Sequence, residues 1–167
     1  VNPETFSPRA KTAVLRHREM LSSAGLAWLK SLPLVHCGKG FRCAHGDFSN
    51  PAAFRYVIEP EDALPSWRAT DEQILFVGHT HFPGIYVIGG SGTPHFVPPC
   101  DFELEENKRY IINPGSVGYP RVGECRSSYC VFDDVARTIT YRMIPFDSDG
   151  YRQALAAAGL GDDPWIK

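Results

Sequence analysis

Gly78-His79-Thr80-His81 follows the apolar run Ile74-Leu75-Phe76-Val77, and His45-Gly46-Asp47 follows Phe41-Arg42-Cys43-Ala44. Runs of this length and type read as strands, so three imidazoles stand where strands leave a sheet. Imidazole is the commonest protein metal ligand and suits zinc, iron, nickel and manganese-type ions. Packing gives little reason to end a buried strand in paired histidines. The glycine before His79 frees the backbone to turn tightly, so that neighbouring side chains diverge toward different targets. If the two strands neighbour one another, His45, His79 and His81 meet at one rim.

Other residues carry weaker signals. Asp47 suits a loop cap or turn better than a ligand, and Asn113-Pro114-Gly115 suits a strand-end turn. Arg121 carries a guanidinium matched to phosphate oxygens, although a single arginine is more often packed or solvated. His17, His36 and His95 fall on a helix surface, a hairpin edge and a strand. Gly89-Gly90-Ser91-Gly92 is a loop between strands, and no helix pattern follows it to make a phosphate cradle.

The positioning elements are legible from local patterns. Ser7-Pro8 starts a helix, Gly25 interrupts it, and a second helical piece through Trp28 and Leu32 ends at Pro33. A hairpin runs through 34–37 and 41–44 around Gly38-Lys39-Gly40. Residues 48–72 read as irregular with short helices. Strands are expected at 73–77, 84–88, 94–97, 109–113, 128–133 and 138–144, with a terminal helix over 148–158 stopped by Gly159.

Composition bounds the function classes. At 167 residues the chain fits one modest domain. A net charge of -2 gives no bulk attraction to nucleic acid or to a membrane surface. The apolar runs are far shorter than the ~20 residues needed to span a bilayer, and no charged-then-apolar leader opens the chain. Val1-Asn2-Pro3 lacks a methionine, as an internal start, processing or cloning would each leave it. The five cysteines, Cys37, Cys43, Cys100, Cys125 and Cys130, match no zinc-binding spacing. An odd number favours reduced thiols and a cytoplasmic chain, with a Cys37–Cys43 bridge across the hairpin as the lesser alternative.

Taken in order, these segments resemble the calcineurin-like metallophosphoesterases, and most of all their small bacterial branch. Ala10-Lys11-Thr12-Ala13 with Arg18-Glu19-Met20-Leu21 looks like that branch's mid-chain helix, and Trp28-Leu29-Lys30-Ser31-Leu32-Pro33 like its W-L-x-x-L-P element. His45-Gly46-Asp47, Gly78-His79-Thr80-His81 and Asn113-Pro114-Gly115-Ser116-Val117-Gly118-Tyr119-Pro120-Arg121 match its later motifs. The family's earlier D-x-H, G-D-x-x-D and G-N-H motifs have no counterpart, and the first aspartate is Asp47. The resemblance therefore implies the C-terminal half of one metallophosphoesterase domain.

It also implies an α/β fold, part of a four-layer α/β/β/α sandwich, with mainly the second mixed sheet and flanking helices in this half. The implied cofactors are two divalent metal ions (manganese, iron, zinc or nickel) about 3.5–4 Å apart. His45 and His79 would hold one and His81 the other, with Asn113 supporting the rim. The bridging aspartate and the histidine that assists the leaving group belong to the absent motifs, so no catalytic residue is assigned in this chain. The implied substrate is a phosphate mono- or diester, with Arg121 a candidate substrate contact. An apolar sheet face would await the N-terminal half or a second copy. A truncated, non-catalytic interaction module remains the alternative.

Overall fold

The computed structural model describes residues 4, 6–123 and 125–161. Val1-Asn2-Pro3, with its missing methionine, lies outside the described residues. In chain order the elements are α1 (Pro8–Met20), α2 (Ser23–Ser31), β1 (Val35–Gly38), β2 (Phe41–Ala44), α3 (Leu64–Ala69), β3 (Ile74–Phe76), β4 (Gly84–Ile88), β5 (His95–Val97), β6 (Phe102–Glu103), β7 (Arg109–Asn113), β8 (Arg126–Asp133), β9 (Thr138–Pro145) and α4 (Ser148–Ala157). Short 3-10 turns at Pro51–Ala53 and Pro60–Ala63 punctuate the stretch before α3.

The described residues form two compact units. One holds α1, α2 and α4, each started by a side-chain cap. Ser7 accepts from the Ala10 amide, Ser22 from the Gly25 amide and Asp147 from the Gly150 amide, which satisfies donors that a helix leaves open. Pro8 occupies the first turn of α1, where a missing N–H costs nothing. The break between α1 and α2 falls at Leu21 and Ser22 rather than at Gly25. The capping hydroxyl of Ser22 sets the new start, and Gly25 lies inside the first turn of α2. Gly159, at φ +71°, follows α4, the left-handed residue expected after a helix.

The other unit, residues 34–146, is built on strand alternation. In β3, β7 and β4, Leu75, Ile111 and Tyr86 point to one face, while Ile74, Tyr110, Ile112, Ile85 and Val87 point to the other. Both faces are buried, as expected for central strands of a sheet covered on both sides. The sheet order is β1-β2-β3-β7-β4-β5, with β2, β3 and β7 mutually parallel and the outer pairs antiparallel. Trp67 of α3, Phe48 and Val57 cover the first face. A second, antiparallel sheet, β6-β9-β8, covers the other face through Ile139 and Tyr141. The fold is the expected mixed α/β arrangement, and it includes this three-stranded sheet besides the mixed one. Apolar side chains remain open on the outer side of β8, where Tyr129 and Val131 are exposed.

Register removes the Cys37–Cys43 bridge. The two-residue turn at Lys39-Gly40 pairs Gly38 with Phe41, so Cys37 faces Arg42 and Cys43 faces His36. No disulfide joins any of the five cysteines. Among the described residues, no helix is long and apolar enough to cross a membrane.

Gly115 marks the tightest point between the sheets. Its φ is +85°, and a Cβ there would lie 1.9 Å from Ser128 Oγ, the group that accepts from the Ser116 amide. Gly115→Ala therefore combines backbone strain with a clash in a filled site. It should lower stability in urea by about 2–4 kcal/mol. Gly90→Ala, with open space around its Cβ, should stay within about 0.5 kcal/mol of the parent.

Candidate metal centre

Parallel pairing brings the carboxyl ends of β2, β3 and β7 to one rim, where ligand sites gather in sheets of this kind. His45 follows β2, the Gly78–His81 loop follows β3, and Asn113 ends β7. The Gly78 amide donates to the His45 carbonyl at 3.0 Å and ties the two loops together. Gly46 is required by close approach, because a Cβ there would lie 2.6 Å from the Arg55 carbonyl oxygen.

His45 Nε2 and His79 Nδ1 face one another at 3.0 Å. His81 turns another way, its Nδ1 lying 2.7 Å from the Tyr119 carbonyl. A carbonyl only accepts, so this Nδ1 carries the proton and Nε2 keeps a lone pair, the tautomer that an ordered ligand histidine adopts. Two of the three expected ligands thus meet directly, and the third stands on the same loop with a free nitrogen. Among the described residues, no group of three or more His, Cys, Asp or Glu is gathered to hold an ion.

The tight turn falls on the histidines themselves. His79 and His81 take φ of 67° and 65°, whereas Gly78 is not left-handed. Non-glycine residues in this region cost about 1–3 kcal/mol each and persist where their surroundings force them. Asn113 supplies that force. Its side chain is 1% exposed. Nδ2 donates to the Gly78 carbonyl at 3.2 Å and to Thr80 Oγ1 at 2.8 Å, while Oδ1 accepts from the Gly115 amide. The Tyr141 hydroxyl, from the second sheet, donates to the Asn113 or the Gly84 carbonyl.

Electrostatics keep the imidazoles neutral. Burial, then the neighbouring His45, His81 and Arg121, pull the His79 pKa from 6.5 to about 4. Burial lowers His45. Burial also lowers His81, helped by Arg121 and His45 against the Tyr119 hydrogen bond. Neutral imidazole is the metal-binding form. Two nitrogens bound to one ion at 2.0–2.1 Å stand roughly 3 Å apart, close to the His45–His79 separation. The donor set fits a divalent ion.

The remaining candidates take supporting positions. Asp47 is 3% exposed and its Oδ1 accepts from Ser49 N, Ser49 Oγ and Asn50 N, so it caps a turn. Arg121 Nη1 donates to the Thr80 carbonyl at 3.3 Å, and its guanidinium lies 5.5 Å from the Tyr119 ring centre. His17, His36 and His95 are exposed on α1, β1 and β5. Sequence patterns missed Tyr56, which stacks on His79 with ring centres 4.2 Å apart and planes at 8°, and Phe54, which lies edge-on to His45. The close approach at Gly46 shows this loop folding back over the rim.

The fold is metallophosphoesterase-like. The crystal structure of a metallophosphoesterase from Sphaerobacter thermophilus superposes with a TM-score of 0.74 at 30% identity, over 84% of this chain and 60% of that one. An uncharacterized protein of Methanocaldococcus jannaschii is 31% identical over 146 residues, 85% of this chain and 58% of that protein. A hypothetical protein of Pyrococcus horikoshii shares the fold at a TM-score of 0.71 and 16% identity, over 96% of this chain and 62% of its own. The chain spans about three fifths of the length of each of these proteins. No family model matches it.

Two measurements check the site. Asn113→Ala removes two donors and an acceptor from a buried position, and should cost about 2–4 kcal/mol in urea unfolding. The second concerns pH. His79 binds a proton less readily folded, near pH 4, than unfolded, near 6.5. Its contribution is therefore full above pH 6.5 and is lost as pH falls toward 4. In chelator-treated protein, the urea midpoint should drop from pH 7 to pH 4.5, and His79→Gln should make that drop shallower.

Proposed function

We propose that this chain carries the histidine side of a dinuclear-metal phosphoesterase that hydrolyses phosphate mono- or diesters. The observation that carries the reading is the His45 Nε2–His79 Nδ1 pair at 3.0 Å, on a rim whose fold is metallophosphoesterase-like. The name of the Sphaerobacter structure and the neutral imidazoles both support divalent metal use. His45 and His79 would hold one ion and His81, through Nε2, the other. When bound, such ions supply neutralisation of phosphoryl charge and a water acidified toward neutrality.

The chain's own residues prepare that chemistry. Asn113 fixes the loop that carries His79 and His81. Tyr56 covers the face of His79 and limits the water reaching it. Arg121 stands beside the loop with a guanidinium that suits a phosphate oxygen. The bridging carboxylate and the proton donor for the leaving group would come from the length that the relatives have beyond the matched portion. That portion, or a second copy, would also cover exposed apolar surface such as Tyr129 and Val131.

The 167-residue chain is expected to bind divalent metal weakly or not at all, with a single bound ion held at His45 and His79, and not to hydrolyse p-nitrophenyl phosphate or its bis ester with manganese. A chain extended to the full length of its relatives should hydrolyse at least one of them, and His79→Ala should abolish turnover while leaving the circular dichroism spectrum unchanged. Retention of two metals per 167-residue chain after dialysis, or manganese-dependent turnover by it that disappears in His79→Ala, would show that this half is sufficient alone.

A further inference from the structure

A cavity of about 530 Å³ opens beside the histidine rim, its wall including Tyr56, Thr80, Phe82, Tyr86, Phe96 and Arg121. This volume falls within the range of small-molecule sites. It adjoins the rim through shared residues. Tyr56 lines the cavity and also stacks on His79, and Thr80 stands between the two left-handed histidines.

The wall is aromatic and partly open. Tyr56, Phe82 and Phe96 are 45–47% exposed, an unusual state for three large rings around one concavity. Phe96 is nevertheless fixed. Its ring lies so close over Gly84 that a Cβ there would come within 2.2 Å, and it meets Tyr86 edge-on at 5.4 Å. Most polar atoms in the wall are already engaged. Thr80 Oγ1 accepts from Asn113 Nδ2 and the Phe82 amide, and the Tyr86 hydroxyl donates to the Val57 or Ile58 carbonyl. Arg121 keeps spare donors. Its Nη1 makes a long bond to the Thr80 carbonyl, its buried Nε has no partner, and a guanidinium offers five N–H groups. Such a wall suits a flat apolar body with one anionic end better than a sugar or peptide, which would need many polar partners.

Resting on the phosphoesterase reading, we infer that this cavity takes the planar aromatic ring of a phosphate ester while Arg121 takes a phosphoryl oxygen on the side facing the histidines. The site would thus select phosphate esters of aromatic groups over alkyl ones. The ring can come from a simple aryl ester or from a nucleotide base, and both use the same stacking chemistry.

Isothermal titration of the full chain in chelator tests this with phenyl phosphate, methyl phosphate, inorganic phosphate and adenosine 5′-monophosphate. Phenyl phosphate should bind roughly tenfold more tightly than methyl phosphate. Phe96→Ala should weaken phenyl phosphate by roughly two- to tenfold while leaving inorganic phosphate unchanged, and Arg121→Met should weaken all four. Phe82→Ala serves as the second variant if Phe96→Ala does not fold. Adenosine monophosphate binding more tightly than phenyl phosphate assigns the cavity to a nucleobase, and the reverse to a simple aryl group. Equal affinity for phenyl and methyl phosphate, no detectable phenyl phosphate binding, or no selective effect of the folded aromatic variants overturns the inference. Divalent-ion binding lost in His79→Ala is measured separately, on the chain extended to the full length of its relatives. If it persists while ring selectivity fails, only the cavity assignment falls; if ring selectivity stands without metal binding, the hydrolase reading falls instead.

Discussion

The carboxamide of Asn113 is the interaction on which the rim depends. It sits at the end of a central strand, 1% exposed, where an unpaired amide would be costly. All its capacity is directed at the neighbouring loop and its own turn: two donors hold Gly78 and Thr80, and the oxygen holds Gly115. A hydrophobic residue of similar volume could fill the space but could not fix the backbone on either side of Thr80. Because β2, β3 and β7 run parallel, one clamp at the end of β7 orders a loop from the adjacent strand, and the Gly78–His45 backbone bond passes that order to the next.

The second sheet contributes to the same point from below. Tyr141 is 7% exposed, and its hydroxyl reaches the carbonyls of Gly84 and Asn113 at 3.0 and 2.9 Å. Its environment pushes the phenol pKa far above the ordinary range, chiefly through burial, so it stays a neutral donor across the working pH range. The three-stranded sheet therefore does more than cover an apolar face. It helps fix the height at which β7 ends and hence where the clamp sits.

Strands with strong β-branched patterns were readable in the sequence almost residue for residue. Gly84–Ile88 and Arg109–Asn113 extend no more than one residue beyond the apolar runs Ile85–Ile88 and Tyr110–Ile112 at either end, because both faces of these strands are buried and solvent imposes no competing pattern. Phe102–Glu103 went unseen because two residues carry no period. The hairpin was recognised but its register was not, since pairing Gly38 with Phe41 shifts the cysteines by one residue. At the rim, the histidines announced themselves by type and position. Tyr56 did not, because its stacking on His79 depends on a loop returning over Gly46, a tertiary event with no local signature. The conformational burden was also misplaced in the sequence reading, on Gly78 rather than on the two histidines.

That burden has a consequence for anyone redesigning the chain. By backbone geometry alone, positions 79 and 81 call for glycine, and a stabilisation protocol that ranks residues by their fit to φ and ψ would write glycine at both. The resulting protein would be more relaxed at the rim and would have lost the imidazoles. Here, local frustration marks the residues to keep fixed before any optimisation begins.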